Sequence, residues 1–178
     1  MDELTAVQRI SVWILPVIFA ITLHEVAHGL AARWLGDDTA ARMGRLSLNP
    51  LHHVDLVGTI LVPGVLLLMG GFLFGWAKPV PVDFSRLKRP QRDMALVAVA
   101  GPLANLLMAI AWAMTLRVAN LLDMEYIKAP LELMSVSGIV INVVLMLLNL
   151  LPIPPLDGGR IVVGLLPRRP VSYTHLTL

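Results

Sequence analysis

The sequence predicts an all-α polytopic membrane protein whose core is three transmembrane helices. Of its 178 residues, 57% are hydrophobic and only 15% are charged, whereas about a quarter of a typical soluble domain is charged. The mean hydropathy is +0.76. A disordered chain is therefore excluded, and a soluble enzyme is not expected. The length fits a single domain, within which each span takes about 20 residues.

The three spanning helices are predicted at the apolar segments 10–35, 94–116 and 133–151. Gly36 stops the first segment and Pro152 the last, and a short polar link at 117–132 follows the second. Residues 56–75 are equally apolar, but their proline and several glycines argue against a straight helix. That segment is predicted to be re-entrant or interfacial.

The polar stretches are predicted to contain short extended or β segments. Residues 41–48 partly alternate between apolar and polar, which favours a short strand. Residues 78–82 must be extended, because each proline disfavours helix in the residue before it. Residues 168–178 do not continue any pattern. The single domain, 1–178, is therefore expected to be truncated near its C-terminus, with 168–178 as a non-domain tail.

Composition also limits the partners. The chain has no cysteine, so any metal must be bound by His, Asp or Glu. The formal net charge is +2. The basic residues lie between apolar runs, as in cytoplasmic loops that face anionic lipid headgroups. No surface combines aromatic and basic residues in the manner of a nucleic-acid-binding protein. The lipid bilayer is thus the expected partner, and nucleic acid is not.

The chemistry is expected at His24-Glu25-Val26-Ala27-His28, an H-E-x-x-H motif inside the first helix. Residues four apart share a helical face, so the two imidazoles can bind one metal ion. Glu25 lies next to that ion and can act as general base on a bound water. The alternative is that these are ordinary buried polar residues. Three ionisable groups in five residues of a membrane helix are costly, however, unless they have a function.

A catalytic zinc needs a third protein ligand and one open position. The candidates are Asp157, His52, His53 and Asp55. Asp157 is favoured because it follows a long apolar helix among prolines and glycines. Irregular backbone at membrane depth is tolerated only where it lines a protein cavity. A plain turn or helix cap is the alternative for Asp157. The other three could orient the ligands from outside or be solvated.

The sequence resembles the site-2 protease family of intramembrane zinc metalloproteases. Three elements carry the resemblance in order: HEVAH at 24–28, GPLAN at 101–105, and NLLP at 149–152 leading to LDG at 156–158. The sequence AKPVPV at 77–82 is similar to a compact bacterial-type branch of that family. The resemblance covers about residues 10–166.

The resemblance implies one Zn²⁺ per chain, with His24, His28 and Asp157 as ligands and Glu25 as the catalytic base. Asn105 would lie near the site and hydrogen-bond the substrate or the developing oxyanion, or it would only pack helices together. The implied enzyme is a zinc metalloendopeptidase that cuts peptide bonds in or near transmembrane segments of other membrane proteins. A non-proteolytic zinc-binding scaffold or an inactive homologue is the alternative.

The motif positions also predict a topology. If His24, His28 and Asp157 bind one zinc, the first and last long helices run parallel, and the helix with Asn105 runs antiparallel to both. Residues 56–75 then do not cross the membrane. In this arrangement eleven of the 14 Lys and Arg residues lie on the side of the motif. The protein is therefore expected to be a multi-pass protein of the cell membrane, with its active site towards the cytoplasm.

Overall fold

The computed structural model describes residues 5–53, 55–62, 65 and 78–166. Within these residues the chain is helical, and no strand is formed. The helices there are α1 (Ala6–Leu35), α2 (Thr39–Arg42), α3 (Pro90–Ala119), α4 (Glu125–Asn149) and α5 (Asp157–Leu165). Two short 3-10 helices, Pro50–His52 and Phe84–Arg86, and a π-helical segment, Leu56–Leu61, lie in the connections.

In the described part of the chain, three helices are long and apolar enough to cross a membrane: Ile10–Leu35, Pro90–Ala119 and Tyr126–Asn149. The prediction of three long apolar helices is thus confirmed. At most 39% of any spanning window is buried inside the protein. The remaining apolar side chains face outward, which suits a bilayer that cannot solvate polar groups.

Contacts between the long helices give their relative directions. Between α1 and α3, His24 contacts Asn105 and His28 contacts Val97. Between α3 and α4, Asn105 contacts Asn142 and Trp112 lies against Gly138. In both helix pairs, the residue numbers increase along one helix while those of the contacting residues decrease along the other. Helix α3 is therefore antiparallel to α1 and α4, which run parallel to each other, as the motif positions predict.

The predicted strand at 41–48 is wrong. Residues Thr39–Arg42 form α2, and the chain then turns at Gly44, whose φ is +65°. The Arg42 guanidinium pairs with the Asp38 carboxylate at 2.8 Å across one helical turn, a spacing that supports helix. Alternation alone cannot hold a strand that has no neighbouring strand to pair with. Residues 78–82, predicted to be extended, lie in a stretch that forms neither helix nor strand.

Helix α4 begins earlier than predicted, at Glu125. The polar link expected at 117–132 shortens to residues 120–124, because α3 also continues to Ala119. Pro130 lies in the second turn of α4, where its missing N–H removes one helical hydrogen bond. Tyr126 and Ile127 extend the exposed apolar surface of the helix beyond that turn.

Two predictions concern segments that lie partly or wholly outside the described residues. Residues 56–75, expected to be re-entrant or interfacial, are described at 56–62 and 65 only. Their first turns are π-helical and begin at Asp55, whose Oδ1 accepts the N–H groups of Val57 and Gly58. The expected tail, 168–178, lies wholly outside the described part.

The segment that precedes α3 is fixed to the C-terminal end of α1. Helix α1 ends at Gly36 with φ +115°, a left-handed conformation that glycine adopts without strain. The Leu35 carbonyl accepts the Lys88 N–H at 3.3 Å. Leu87 is buried with Ala32 in an apolar cluster between α1 and α3. This packing brings residues 78–83 to the face of α1 that bears Glu25, whose Oε2 accepts the Val80 N–H.

Asp37 is the polar part of the same attachment. Its side chain is fully buried. One carboxylate oxygen accepts the N–H and hydroxyl of Thr39, and the other accepts the Asp83 N–H at 2.7 Å. Burial raises the pKa of the Asp37 carboxyl, but these hydrogen bonds outweigh it and hold that pKa below its ordinary value. The ionised carboxylate thus ties residue 83 to the end of α1.

Candidate metal centre and active site

Three of the predicted site residues form one compact buried cluster. The Nε2 atoms of His24 and His28 lie 3.1 Å apart. The Oδ2 atom of Asp157 lies 3.3 Å from the first and 3.1 Å from the second. Four-coordinate zinc with bonds of about 2.0–2.1 Å separates its ligand atoms by about 3.3 Å. The triangle therefore has the size that a tetrahedral zinc ion requires.

The Nδ1 atom of each histidine forms a hydrogen bond on the side of the ring that faces away from this triangle. His28 Nδ1 donates to the Val97 carbonyl at 2.8 Å, and His24 Nδ1 donates to Asn105 Oδ1. In the neutral rings the proton is then on Nδ1, and the Nε2 lone pairs face Asp157. Asp157 Oδ2 is buried and has no hydrogen-bond partner. Three electron-rich atoms thus converge without a donor between them, an arrangement that a bound cation stabilises.

Asn105 is fully buried behind His24. Its Nδ2 donates to Asn142 Oδ1 at 2.9 Å and lies 3.5 Å from the Ala20 carbonyl. These contacts assign the amide orientation and direct its oxygen to His24. Both polar atoms of Asn105 are therefore engaged by α1 and α4. Asn105 therefore contacts His24 on the side of the ring that faces away from the triangle.

Two glycines permit the close approach of the helices that carry the ligands. A Cβ on Gly101 would lie 2.4 Å from His28 Nε2 and 2.6 Å from His24 Cε1, so only glycine lets α3 lie against both rings. A Cβ on Gly158 would lie 2.3 Å from the Leu150 and Leu151 carbonyl oxygens. Glycine there lets α5 begin directly against the end of α4, with Asp157 as its first residue.

The position of Asp157 suits an anionic ligand. It begins α5 rather than ending α4, and the first turn of a helix favours negative charge. The Arg160 guanidinium lies 4.0 Å from Asp157 Oδ1 and also stacks over the Phe84 ring, with 5.7 Å between its carbon and the ring centroid. Oδ1 thus has a cation beside it, and Oδ2 is left facing the histidines.

The cluster opens into a cavity of about 190 Å³. A water molecule occupies about 30 Å³ in the liquid, so the cavity can hold several. Glu25 lies in the same wall, and its Oε2 accepts the Val80 N–H at 2.8 Å. The carboxylate is therefore oriented by the segment that α1 holds in place, beside the ligand atoms and within reach of water.

The family follows from comparison with known proteins. Residues 119–175 match the model of Peptidase family M50. A Bacillus subtilis protein named "Putative zinc metalloprotease YwhC" is 42% identical over 157 residues, which are 86% of this chain and 68% of that protein. The chain belongs to peptidase family M50, the site-2 protease family.

Two mycobacterial proteins, both named "Putative zinc metalloprotease Rip2", are more distant. The one from Mycolicibacterium smegmatis is 29% identical over 88% of this chain, and the one from Mycobacterium tuberculosis is 33% identical over 79%. The chain spans 59% and 52% of their respective lengths. No solved structure matches it.

Of the four third-ligand candidates in this M50 peptidase, only Asp157 joins the histidines. His53 is buried elsewhere, with Nε2 bonded to the Ser47 carbonyl at 2.8 Å. His52 is exposed, and its Nδ1 lies 3.3 Å from the Gly44 carbonyl. Asp55 begins the π-helical segment. Among the described residues, His24, His28 and Asp157 are the one group placed to bind a metal ion.

Three features at or near the candidate site were not predicted from the sequence of this family member. Asn142 is one of two asparagines in an apolar helix, and its only sequence signal is its polarity. Asn149, the first residue of the NLLP element, donates from Nδ2 to the Leu145 carbonyl at 3.0 Å, and its side chain lines the cavity. The bond between Val80 and Glu25 joins residues 55 apart, and no spacing rule predicts such a contact.

Proposed function

We propose that this chain is the catalytic domain of an intramembrane zinc metalloprotease, which hydrolyses peptide bonds in or near transmembrane segments of other membrane proteins. One observation carries the proposal: the Glu25 carboxylate lines the same cavity as the three converging ligand atoms. A structural zinc site is closed by four protein ligands, whereas a catalytic one keeps a position open. Three ligands, a cavity and an adjacent carboxylate support the catalytic case.

The residues divide the chemistry among them. Bound by His24, His28 and Asp157, zinc would polarise the scissile carbonyl and lower the pKa of a water. Glu25 would accept the proton of the attacking water and return it to the leaving amine. The Val80 N–H holds one oxygen of Glu25 and leaves the other for that proton. Asn105 would keep the His24 ring in its binding orientation.

The proposed substrate is a transmembrane helix that unwinds locally. A helix hides its carbonyls in internal hydrogen bonds, so a cut requires an exposed backbone. Pro79, Val80 and Val82 line the cavity and belong to a non-helical segment. Pairing with main-chain groups of such a segment is one way that proteins hold an extended peptide.

We also propose that the site lies towards the cytoplasm in the cell membrane. The direction of the long helices places most basic residues at the end of the bundle that holds the cluster. Cytoplasmic loops of membrane proteins carry this excess. Among the described residues, nine basic residues lie on that side, against Arg9, Arg117 and Lys128 on the other; the nine are Arg33, Arg42, Arg45, Lys78, Arg86, Lys88, Arg89, Arg92 and Arg160.

The test compares zinc content and cleavage of a model transmembrane substrate in detergent. The variants are Glu25→Gln and Asp157→Ala, with Asp38→Ala as the control because Asp38 is a surface acid that pairs with Arg42. We expect the wild type and the control to bind one zinc and to cleave. Glu25→Gln should keep zinc and lose cleavage, and Asp157→Ala should lose both.

Cleavage by Glu25→Gln at the wild-type rate would exclude Glu25 as the base. Zinc binding by the wild type without cleavage of any transmembrane substrate would instead favour the non-proteolytic alternative. Wild-type protein that binds no zinc would refute the metal site itself.

A further inference from the structure

A chain of buried hydrogen bonds leads from α4 to a metal-binding histidine on α1. Asn142 Nδ2 donates to the Gly138 carbonyl of its own helix at 2.8 Å. Asn142 Oδ1 accepts from Asn105 Nδ2 at 2.9 Å, and Asn105 Oδ1 accepts from His24 Nδ1. Both asparagines are 0% exposed. Each of the three long helices therefore contributes one member to this chain, and the two asparagines are shielded from solvent.

The direction of this chain is set at its far end. A backbone carbonyl can only accept, so Asn142 must direct its NH₂ group to Gly138 and its oxygen to Asn105. Asn105 must then direct its NH₂ group to Asn142 and its oxygen to His24. That oxygen requires a proton on His24 Nδ1, which leaves the Nε2 lone pair for a metal. A carbonyl on α4 thus selects the tautomer of a histidine on α1.

We propose that Asn142 is a positioning residue of the metal centre, which acts through Asn105 to fix the tautomer and ring orientation of His24. Without the Asn142 oxygen, the NH₂ group of Asn105 keeps only its 3.5 Å contact with the Ala20 carbonyl, and the amide can rotate by half a turn. Its NH₂ group would then face His24 and favour a proton on Nε2, where a metal cannot bind. This role rests on the proposed function, because it assumes a metal on Nε2.

A simpler role for Asn142 is to hold α3 and α4 together, as interhelical amide bonds do in membranes. The two roles differ in how substitutions combine. If Asn142 acts through Asn105, its removal has no further effect once Asn105 is gone. If each asparagine only supports packing, their losses combine independently.

The test is a double-mutant cycle on zinc affinity, measured in detergent by competition with a chelator, with the visible spectrum of the cobalt-loaded protein as a second readout. The variants are Asn142→Leu, Asn105→Leu and the pair together. Asn142→Asp is the conservative variant, because a protonated carboxyl can donate its O–H to the Gly138 carbonyl and keep an oxygen towards Asn105. Ser137→Ala is the control, since Ser137 is equally buried on α4 and its hydroxyl donates to the Leu133 carbonyl.

We expect Asn142→Leu to weaken zinc binding about tenfold, the lower end of the range for partners of metal ligands. The same change should have no effect in the Asn105→Leu background. Asn142→Asp and Ser137→Ala should stay within about threefold of the wild type, with unchanged cobalt spectra.

Losses that multiply in the double variant, or an equal loss in Ser137→Ala, would overturn the positioning role. The proposed protease function fails separately: if the wild type binds zinc and cleaves nothing, the affinity cycle still decides the role of Asn142. Wild-type protein without zinc affinity would overturn both.

Discussion

Replacement of Gly101 by alanine should disable the metal centre while sparing the fold. The added methyl carbon would lie 2.4 Å from His28 Nε2 and 2.6 Å from His24 Cε1, whereas ordinary contact begins at 3.4 Å. One ring, or helix α3 itself, must therefore retreat by about 1 Å. Metal–ligand distances tolerate only about ±0.2 Å. At least one histidine should then cease to bind the metal properly.

The magnitude follows from that displacement. Loss of a partner that merely orients a ligand lowers metal affinity by about 10- to 100-fold, and displacement of a ligand itself should reach at least the upper value. We therefore expect Gly101→Ala to weaken zinc binding by about 100-fold or more, which corresponds to about 2.8 kcal/mol. Crowding should also lower the stability of the metal-free protein by about 1–3 kcal/mol.

The assay is chelator competition in detergent, combined with thermal unfolding of the metal-free protein. Gly164→Ala is the matched control, because its Cβ would lie 2.6 Å from Ala95 Cβ and 2.7 Å from the Gln91 carbonyl oxygen, two turns along α5 from Asp157. It should lose similar stability and keep wild-type zinc affinity. Zinc affinity within threefold of the wild type in Gly101→Ala would refute the close approach of α3 to the rings.

Three further predictions follow from other contacts. Because the pKa of Asp37 is lowered, its stabilising effect is complete above the ordinary value of 3.8 and is lost as the pH falls below it. Asp37→Asn should therefore reduce the fall in Tm between pH 7 and pH 3, and an unchanged fall in Tm would contradict this. Val80→Pro removes the N–H that orients Glu25 and should slow cleavage about tenfold at constant zinc affinity, while Val80→Ala, which keeps the N–H, should retain the wild-type rate. Zinc at 100 times its Kd should stabilise the wild type by about 2.7 kcal/mol, seen as a raised Tm, and a similar rise in Asp157→Ala would show that the metal binds elsewhere.

The spans and the grouping of His24, His28 and Asp157 were predictable because their signals are local or rare. Long apolar runs predict α1, α3 and α4 by length alone. The motif from His24 to His28 places two imidazoles on one face, and ionisable groups are conspicuous in such a helix. Asp157 could be selected from four candidates because the proline and glycine residues around it predict a break in the helix.

The remaining features depend on contacts that have no sequence period. The alternation at 41–48 suggested a strand. A strand is stable only when it pairs with a neighbouring strand, and the sequence of one segment does not specify that pairing. Asn142 carries no spacing that links it to Asn105. The hydrogen bond from the Val80 N–H to Glu25 could not be predicted, because every residue except proline has a backbone N–H. These roles emerge only when three helices are packed together.

The positions of the ligands along the chain also order the assembly of the site during synthesis. His24 and His28 enter the bilayer with the first helix, well before Asp157 is made. Val97 and Asn105, which hold the outer nitrogens of the two rings, arrive with the second long helix. The carboxylate comes only after the third. The three side chains therefore cannot come together in the nascent chain until the three described long helices have been made.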